Sequence, residues 1–389
     1  MPHPAHRTDD ASTNASGLYV GLMSGTSLDG IDAALVNIDA HGRPVLLGHH
    51  AEPMPSELRQ RLWALCHASS AGFDEFAAAE DAFCALQAKA VATLLANEGI
   101  DTTEIVALGS HGQTIEHAPN GHASTANAPS YTLQLDNPSL LAELTGCTVV
   151  ADFRRRDLAA GGQAAPLAPA FHHALFADDQ RHRLILNLGG FANVTSLPPN
   201  GGEVIGFDSG PANALLDAWY ARHHDGHFDA EGAWAAQGRI DYALLRRMLD
   251  DAFFHQPPPR STGREHFHLD WLAQHLRGDE RPVDVQATLA ELTAASVADA
   301  VALLGLGTQT LELIAAGGGV HNTHLMARLQ ARLPQASLTT PDAYGWPGDW
   351  IEAGAFAWLA YRRLQGLPGN LPSVTGARGP RLLGGVYAA

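Results

Sequence analysis

Twice along this chain, two apolar runs flank a short segment of glycine and small polar residues. In the first half, Leu18-Tyr19-Val20 and Ala33-Ala34-Leu35-Val36 bracket Gly21-Leu-Met-Ser-Gly-Thr-Ser-Leu-Asp-Gly-Ile-Asp32. In the second half, Arg183-Leu-Ile-Leu-Asn-Leu188 and Val194-Thr-Ser-Leu197 bracket Gly189-Gly-Phe-Ala-Asn193. Each reads as strand, tight turn, strand. Each is followed by a further strand, helices, and a buried strand with a Gly-rich end: residues 105–108 before Gly109-Ser-His-Gly-Gln-Thr114, and residues 311–316 before Gly317-Gly-Gly-Val-His-Asn322. The repeated order predicts a duplicated α/β unit, two halves facing across a central cleft with one glycine hairpin on each wall.

The chemistry open to such hairpins is narrowed by a missing residue type. Lys89 is the only lysine in 389 residues, and it lies in a helix-like stretch. A P-loop, a protein-kinase strand lysine and a pyridoxal Schiff base are therefore excluded. A nucleotide triphosphate has to be held by backbone amides, hydroxyls, arginines and a metal. Glycine lets the backbone approach an anion, hydroxyls add donors, and Asp29 and Asp32 are the acids near which Mg²⁺-ATP would lie. An ordinary Gly-rich turn satisfies the same pattern.

The net charge of −17 disfavours nucleic acid and anionic membranes as partners. Cys66, Cys84 and Cys147 are odd in number and far apart, so neither a disulfide framework nor a zinc site is indicated, and the cytoplasm is the expected compartment. Residues 1–16 read as a loose, disordered tail, 17–157 as the N-terminal α/β domain and 158–389 as the C-terminal one. The last helix, about 350–365, is expected to pack back on the first domain.

Several polar residues fall at expected strand ends, where α/β proteins place their ligands. Asp208 precedes Ser-Gly-Pro and a helix, suiting a base or an N-cap. Asp152-Phe-Arg154-Arg-Arg156 offers an arginine able to clamp a carboxylate, or a solvated charge cluster. Ser110, His111 and Gln113 have the donors and acceptors for a sugar. Residues 161–167 and 257–265 read as ordered loops beside a pocket. Glu352 opens the last helix next to Asp349, where a first-turn acid is also favoured by the dipole. His223, His224 and His227 have no acidic or Cys partner at ligand spacing and suit a solvated loop.

The segments 21–32, Gly109-Ser-His-Gly-Gln-Thr114, Val149-Val-Ala-Asp-Phe-Arg154, Leu186-Asn-Leu-Gly-Gly-Phe191, Gly206-Phe-Asp-Ser-Gly-Pro211, Ser261-Thr-Gly-Arg-Glu265, Gly317-Gly-Gly-Val-His-Asn322 and Trp350-Ile-Glu-Ala353 resemble, in this order, the anhydro-N-acetylmuramic acid kinases. The resemblance implies two ribonuclease-H-like domains of the actin and hexokinase type. It implies that ATP, with Mg²⁺, serves to open 1,6-anhydro-N-acetylmuramic acid with water and phosphorylate O6, in the recycling of cell-wall sugars. Asp208 is then the base and Glu352 assists it. The implied ATP residues are Gly25, Thr26, Ser27, Leu28, Asp29, Gly30, Ile31 and Asp32, with Asn187, Gly189, Gly190, Asn193, Gly317, Gly318, Gly319 and Asn322. Ser110, His111, Gln113, Asp152 and Arg154 are the implied sugar residues. The partner is a small molecule, with no nucleic acid and no membrane, and a homodimer is one assembly open to the chain. An ATPase or phosphatase of the same superfold without a sugar substrate, or a non-catalytic sensor, are the alternatives. Ala164 and Ala212 stand where the family pattern has glycine, and Asp136-Asn137 replaces a turn containing one.

Overall fold

The computed structural model describes residues 16–68, 70–121, 129–258, 260–264, 266–306 and 311–389. The expected tail, apart from Ser16, lies outside these residues, as does Glu265. The chain divides into two compact units. One comprises the described residues up to Ala164 with Glu352–Asn370 and Gly379–Ala389; the other comprises Ala165–Ile351 and Leu371–Arg378.

The first unit is built on a sheet of β1 (Gly17–Ser24), β2 (Gly30–Ile38), β3 (Pro44–Pro53), β4 (Ile105–Ala118), β5 (Tyr131–Leu135), β6 (Val149–Ala151) and the C-terminal strand β12 (Gly385–Tyr387). Its order is β12-β6-β4-β1-β2-β3, with β5 on β4. The hairpin strands are antiparallel, whereas β1, β4 and β6 run parallel. Tyr19, Val20 and Leu22 are buried, as suits a strand covered on both faces. One face is packed by the helix Phe73–Glu98, which buries Phe83, Leu86, Ala90 and Leu94 and stops at Gly99 with φ +68.

The other face receives the helix Ile351–Leu364 at very short range. Gly21 and Gly109 are partners in the β1–β4 register. A Cβ on Gly21 would fall on the carbonyl oxygen of Ala353, and one on Gly109 would fall on that of Phe356. Ala353, Ala357 and Ala360 recur at helical spacing and are fully buried, so small residues on both elements make the approach possible.

The second unit repeats the pattern with β7 (His182–Leu188), β8 (Phe191–Leu197), β9 (Ile205–Pro211), β10 (Leu311–Ala316) and β11 (Ala336–Thr339), in the order β11-β10-β7-β8-β9. Again an antiparallel triplet is continued by two parallel strands. Both units thus have a ribonuclease-H-like arrangement. The helix Pro282–Leu303 is buried almost all round, and its Glu291 is neutralised inside the protein by Arg328 at 2.6 Å and Arg332.

Three sequence expectations are corrected. Gly21 to Ser24 and Gly30 to Asp32 belong to strands, so the first tip is only residues 25–29. Residues 109–114 are not the end of their strand but its middle, because β5 pairs with β4 from Gln113 to Ala118 and prolongs the ladder. The boundary drawn at 157 falls inside the short helix Arg155–Ala159, and residues 379–389 return to the first unit because β12 pairs with β6.

Candidate active site

In the first unit the tip of the β1–β2 hairpin is closed from within. Ser24 Oγ donates to the Gly30 carbonyl at 2.9 Å, and the Leu28 amide donates to the Gly25 carbonyl at 3.2 Å. Leu28 takes φ +57 and buries its side chain, as does Ile31. Gly30 lies against the Glu52 carbonyl, which a Cβ would strike. The side chains of Leu28 and Ile31 are therefore core plugs and not ATP contacts. Thr26 and Ser27 are exposed, and a Cβ on Gly25 would meet nothing nearer than Ser27 Oγ at 3.7 Å, so this is where an anion can reach the backbone. Asp29 is paired with Arg59 at 3.2 Å, and Arg59 also donates to the Ser27 carbonyl. Asp32 sits inside β2, opposite Met23 and Ala51. Among the described residues no group of three or more His, Cys, Asp or Glu gathers to hold a metal.

The alternation of β4 separates the expected sugar residues. Ser110 points under the helix Phe73–Glu98, where it donates to Asp136 Oδ2 and accepts from Gln87 Nε2, both at 2.7 Å. Fully buried and doubly bonded, it is a structural clamp. His111 faces the helix Ile351–Leu364 and lies 4.7 Å from the Phe356 ring. Its Nε2 accepts from Arg154 Nε at 2.9 Å, which puts the ring proton on Nδ1, an atom with no hydrogen-bond partner among the described residues. Burial, and then the Arg154 charge, push its pKa down to about 3, so the ring is neutral. Arg154 also donates to the Ala164 carbonyl at 2.7 Å. Its charge acts on Glu352: crowding around the Glu352 carboxyl raises that pKa above the usual range and Arg154 opposes the rise, although the residue keeps an exposed surface. Asp152, at φ +59, pairs with Arg155 at 3.5 Å. Gln113 is fully buried, donating to the Thr114 carbonyl at 3.2 Å with Oε1 unpartnered. His111, Asp152, Gln134 and Asp136 border a cavity of about 200 Å³. Asp136 is held near a pKa of about 6 by its burial, against a hydrogen bond from Ser110.

In the second unit Asp208 lies in β9, opposite Asn193 of β8. Asn193 Nδ2 donates to Oδ1 and the Thr262 amide donates to Oδ2, each at 2.9 Å. The backbone is locked as well. Asp208 N donates to the Arg260 carbonyl, while Arg260 Nε donates back to the Asp208 carbonyl, both at 3.0 Å. Buried Arg260 gives its Nη1 to the carbonyls of Phe253, Phe254 and Gln256, and its guanidinium lies 4.8 Å from the Phe253 ring. The Thr262 hydroxyl beside this carboxylate is buried and unpartnered.

The β7–β8 turn is Gly189-Gly190, whose carbonyls accept from the amides of Ala212, Asn213 and Ala214. Asn187 is exposed at the end of β7. Gly317, at φ +83, gives room to Asn187 Oδ1 and the Leu188 backbone, and Gly319 gives room to Leu188. Only Gly318 of the three stays open, with Asn213 Nδ2 3.9 Å from where its Cβ would be. Asn322 is the N-cap of the helix Thr323–Arg332, accepting from the Leu325 amide at 2.9 Å, and so is committed to the fold.

Residues 17–389 match the family described as anhydro-N-acetylmuramic acid kinase. The chain belongs to this family. An anhydro-N-acetylmuramic acid kinase of Chromohalobacter salexigens is 61% identical over 375 residues, 95% of this chain and 99% of the relative. Relatives of the same name in Nitrosospira multiformis and Xylella fastidiosa are each 50% identical, covering 95% and 99% of this chain and 99% and 100% of their own.

The family motifs thus divide between positions with open backbone or polar groups and positions committed to the fold. Arg260, Thr262, Asn213 and Asp136 support the candidate residues through hydrogen bonds, although sequence reasoning assigned them no role. Thr262 lay within a loop marked as bordering a pocket, whereas the backbone lock by Arg260 has no sequence signal. Ala164 adopts φ +59, the left-handed region that glycine fills at no cost, and is held there by its amide bond to Asp157 at 2.8 Å. The three histidines 223, 224 and 227 make no metal site; His224 stacks on Tyr220 with ring centroids 4.6 Å apart. Among the described residues no helix is long and apolar enough to cross a membrane.

Proposed function

We propose that this protein is an ATP-dependent kinase that opens 1,6-anhydro-N-acetylmuramic acid with water and phosphorylates O6, giving N-acetylmuramic acid 6-phosphate and ADP in the recycling of peptidoglycan in a bacterial cytoplasm. The observation that carries the reading is the Asp208 carboxylate, fixed by one donor on each oxygen and locked through its backbone. Such a group is oriented, has neutral donors on its oxygens and no cation pair among the described residues, and is able to accept a proton from water. General-base help of this kind contributes about 10²–10⁴ in rate.

In the reaction a water oxygen bonds to the anomeric carbon while the bond from that carbon to O6 breaks. Asp208 takes the water proton, and O6 bonds to the γ-phosphorus as ADP leaves. Carbon with oxocarbenium character needs only partial deprotonation of its nucleophile, as in glycoside hydrolysis. His111, Arg154 and Asp152 position the sugar, and Glu352, its carboxyl raised in pKa, assists beside Arg154. Gly25, Thr26 and Ser27 offer open backbone and hydroxyls, and Gly189, Gly190 and Gly318 open backbone, of the kind that a nucleotide requires. Mg²⁺, if it accompanied the nucleotide near Asp29 and Asp32, would supply neutralisation of the charge developing on the transferred group.

Turnover in heavy-oxygen water tests the reading. The label is expected at the anomeric hydroxyl of the product. Label in inorganic phosphate, with no sugar requirement for ADP release, would instead identify an ATPase.

A further inference from the structure

The cavity beside His111 has a neighbour. A second, larger hollow of about 500 Å³ adjoins it at Asp152 and Arg155, and its wall includes Arg156, Arg363 and Gly384. Asp152 and Arg155 line both. The inner hollow is bordered by the polar side chains of Glu80, His111, Gln134 and Asp136. Phe76 and Tyr387 add ring surface. Donors and acceptors set between aromatic faces suit a sugar ring. The outer hollow gathers three arginines in a chain with 41 acidic residues against 24 basic ones.

The three consecutive arginines have separate duties. Arg154 is tied to His111 and to the Ala164 carbonyl. Arg155 is exposed and, among the described residues, its guanidinium is engaged by Asp152 at 3.5 Å, too long for a good charge-assisted bond. We propose that Arg155 is the specificity residue for the carboxylate of the lactyl ether on the sugar, the sugar ring lying in the inner hollow and the carboxylate reaching the arginines of the outer one. The assignment rests on the function proposed above and deepens it. A guanidinium presents parallel N–H donors matched to a carboxylate, and the same contact rejects a sugar that lacks the group.

The test compares Arg155→Ala with the wild-type enzyme on two ligands, 1,6-anhydro-N-acetylmuramic acid and 1,6-anhydro-N-acetylglucosamine, which has the same ring without the lactyl ether. Binding is read by titration calorimetry, and KM and kcat by ADP release. Wild-type protein is expected to favour the muramic sugar by at least about tenfold, and Arg155→Ala to lose about that factor on this sugar alone, the size of a lost charge-assisted hydrogen bond. The value of kcat at saturating sugar should stay within about twofold, because the contact is made equally in ground and transition states. Arg155→Lys is expected to fall between the two. Equal losses on both sugars, no loss on either, or a wild-type protein that does not distinguish them overturns the assignment. Discrimination in binding without ADP release would leave the assignment standing and overturn the kinase reading instead.

Discussion

At the scale of single residues, the two units hold carboxylates in opposite ways. Asp208 receives neutral donors on both oxygens, whereas Glu352 sits in crowded surroundings opposed by one guanidinium. In Asp208→Asn the new NH₂ group meets either the Thr262 amide or the Asn193 side chain, and the Asn193 amide can turn over to accept. The variant should fold and bind ATP while turnover falls by about 10²–10⁴, measured as ADP release. Replacing Arg154 by Leu removes the charge that lowers the Glu352 pKa, so that pKa rises further and the acid limb of the kcat/KM profile moves to higher pH. An unchanged limb would separate Glu352 from the chemistry. His172, buried with Nδ1 unpartnered, is held by that burial at a pKa of about 4. Its folded pKa lies below the unfolded value of about 6.5, so its contribution to stability is present above that pH and is lost as pH falls toward 4. His172→Leu should therefore lose less stability than the wild type across this window, the difference changing by about 1.4 kcal/mol per pH unit in denaturant titrations.

At the scale of elements, the glycines of the opening hairpin sort by what lies over them. Gly21 makes room for a helix, Gly30 for a strand, and Gly25 for solvent or ligand. Gly21→Ala is expected to cost about 1–3 kcal/mol, as overpacking does, and to shift the seat of the helix that carries Glu352. Denaturant midpoints and kcat should fall together. These distinctions explain what the sequence made legible. The order of strands, turns and crossovers was readable because apolar runs and small-residue turns alternate. The run from Gly109 to Thr114 read as the end of a strand because its small polar residues follow the apolar run, while β5, distant in the chain, extends the ladder to Ala118. Consequently Ser110 and His111, equal candidates in sequence, point to opposite faces. Asp208 could be singled out as a candidate because it follows an apolar run and precedes a helix. The backbone lock by Arg260, 52 residues away, depends on tertiary placement alone. The return of residues 379–389 was illegible because three-residue β12 has no periodicity to read.

At the scale of the whole molecule, the excess of acid is met by committed cations. Lys89 lies 2.7 Å from Glu52, Arg183 binds both Asp178 and Glu312, and two arginines share Glu291. An anionic nucleotide approaches a body of charge −17, so long-range repulsion opposes encounter and salt relieves it. The kcat/KM for ATP should rise as ionic strength is brought from about 0.01 M to about 0.15 M, where the screening length shortens to about 8 Å. A steep fall instead would show that local arginines dominate the encounter.

The Gly21–Gly109 pair has a consequence for how this protein can change. The obstacle to any side chain there is the main chain of a helix, and no substitution in that helix removes a carbonyl oxygen. A mutant carrying alanine at either glycine has no neighbouring side chain to shrink in compensation. In a search for suppressors, restored activity should come from reversion to glycine or from distant changes that stabilise the unit as a whole, and not from the residues touching the lesion.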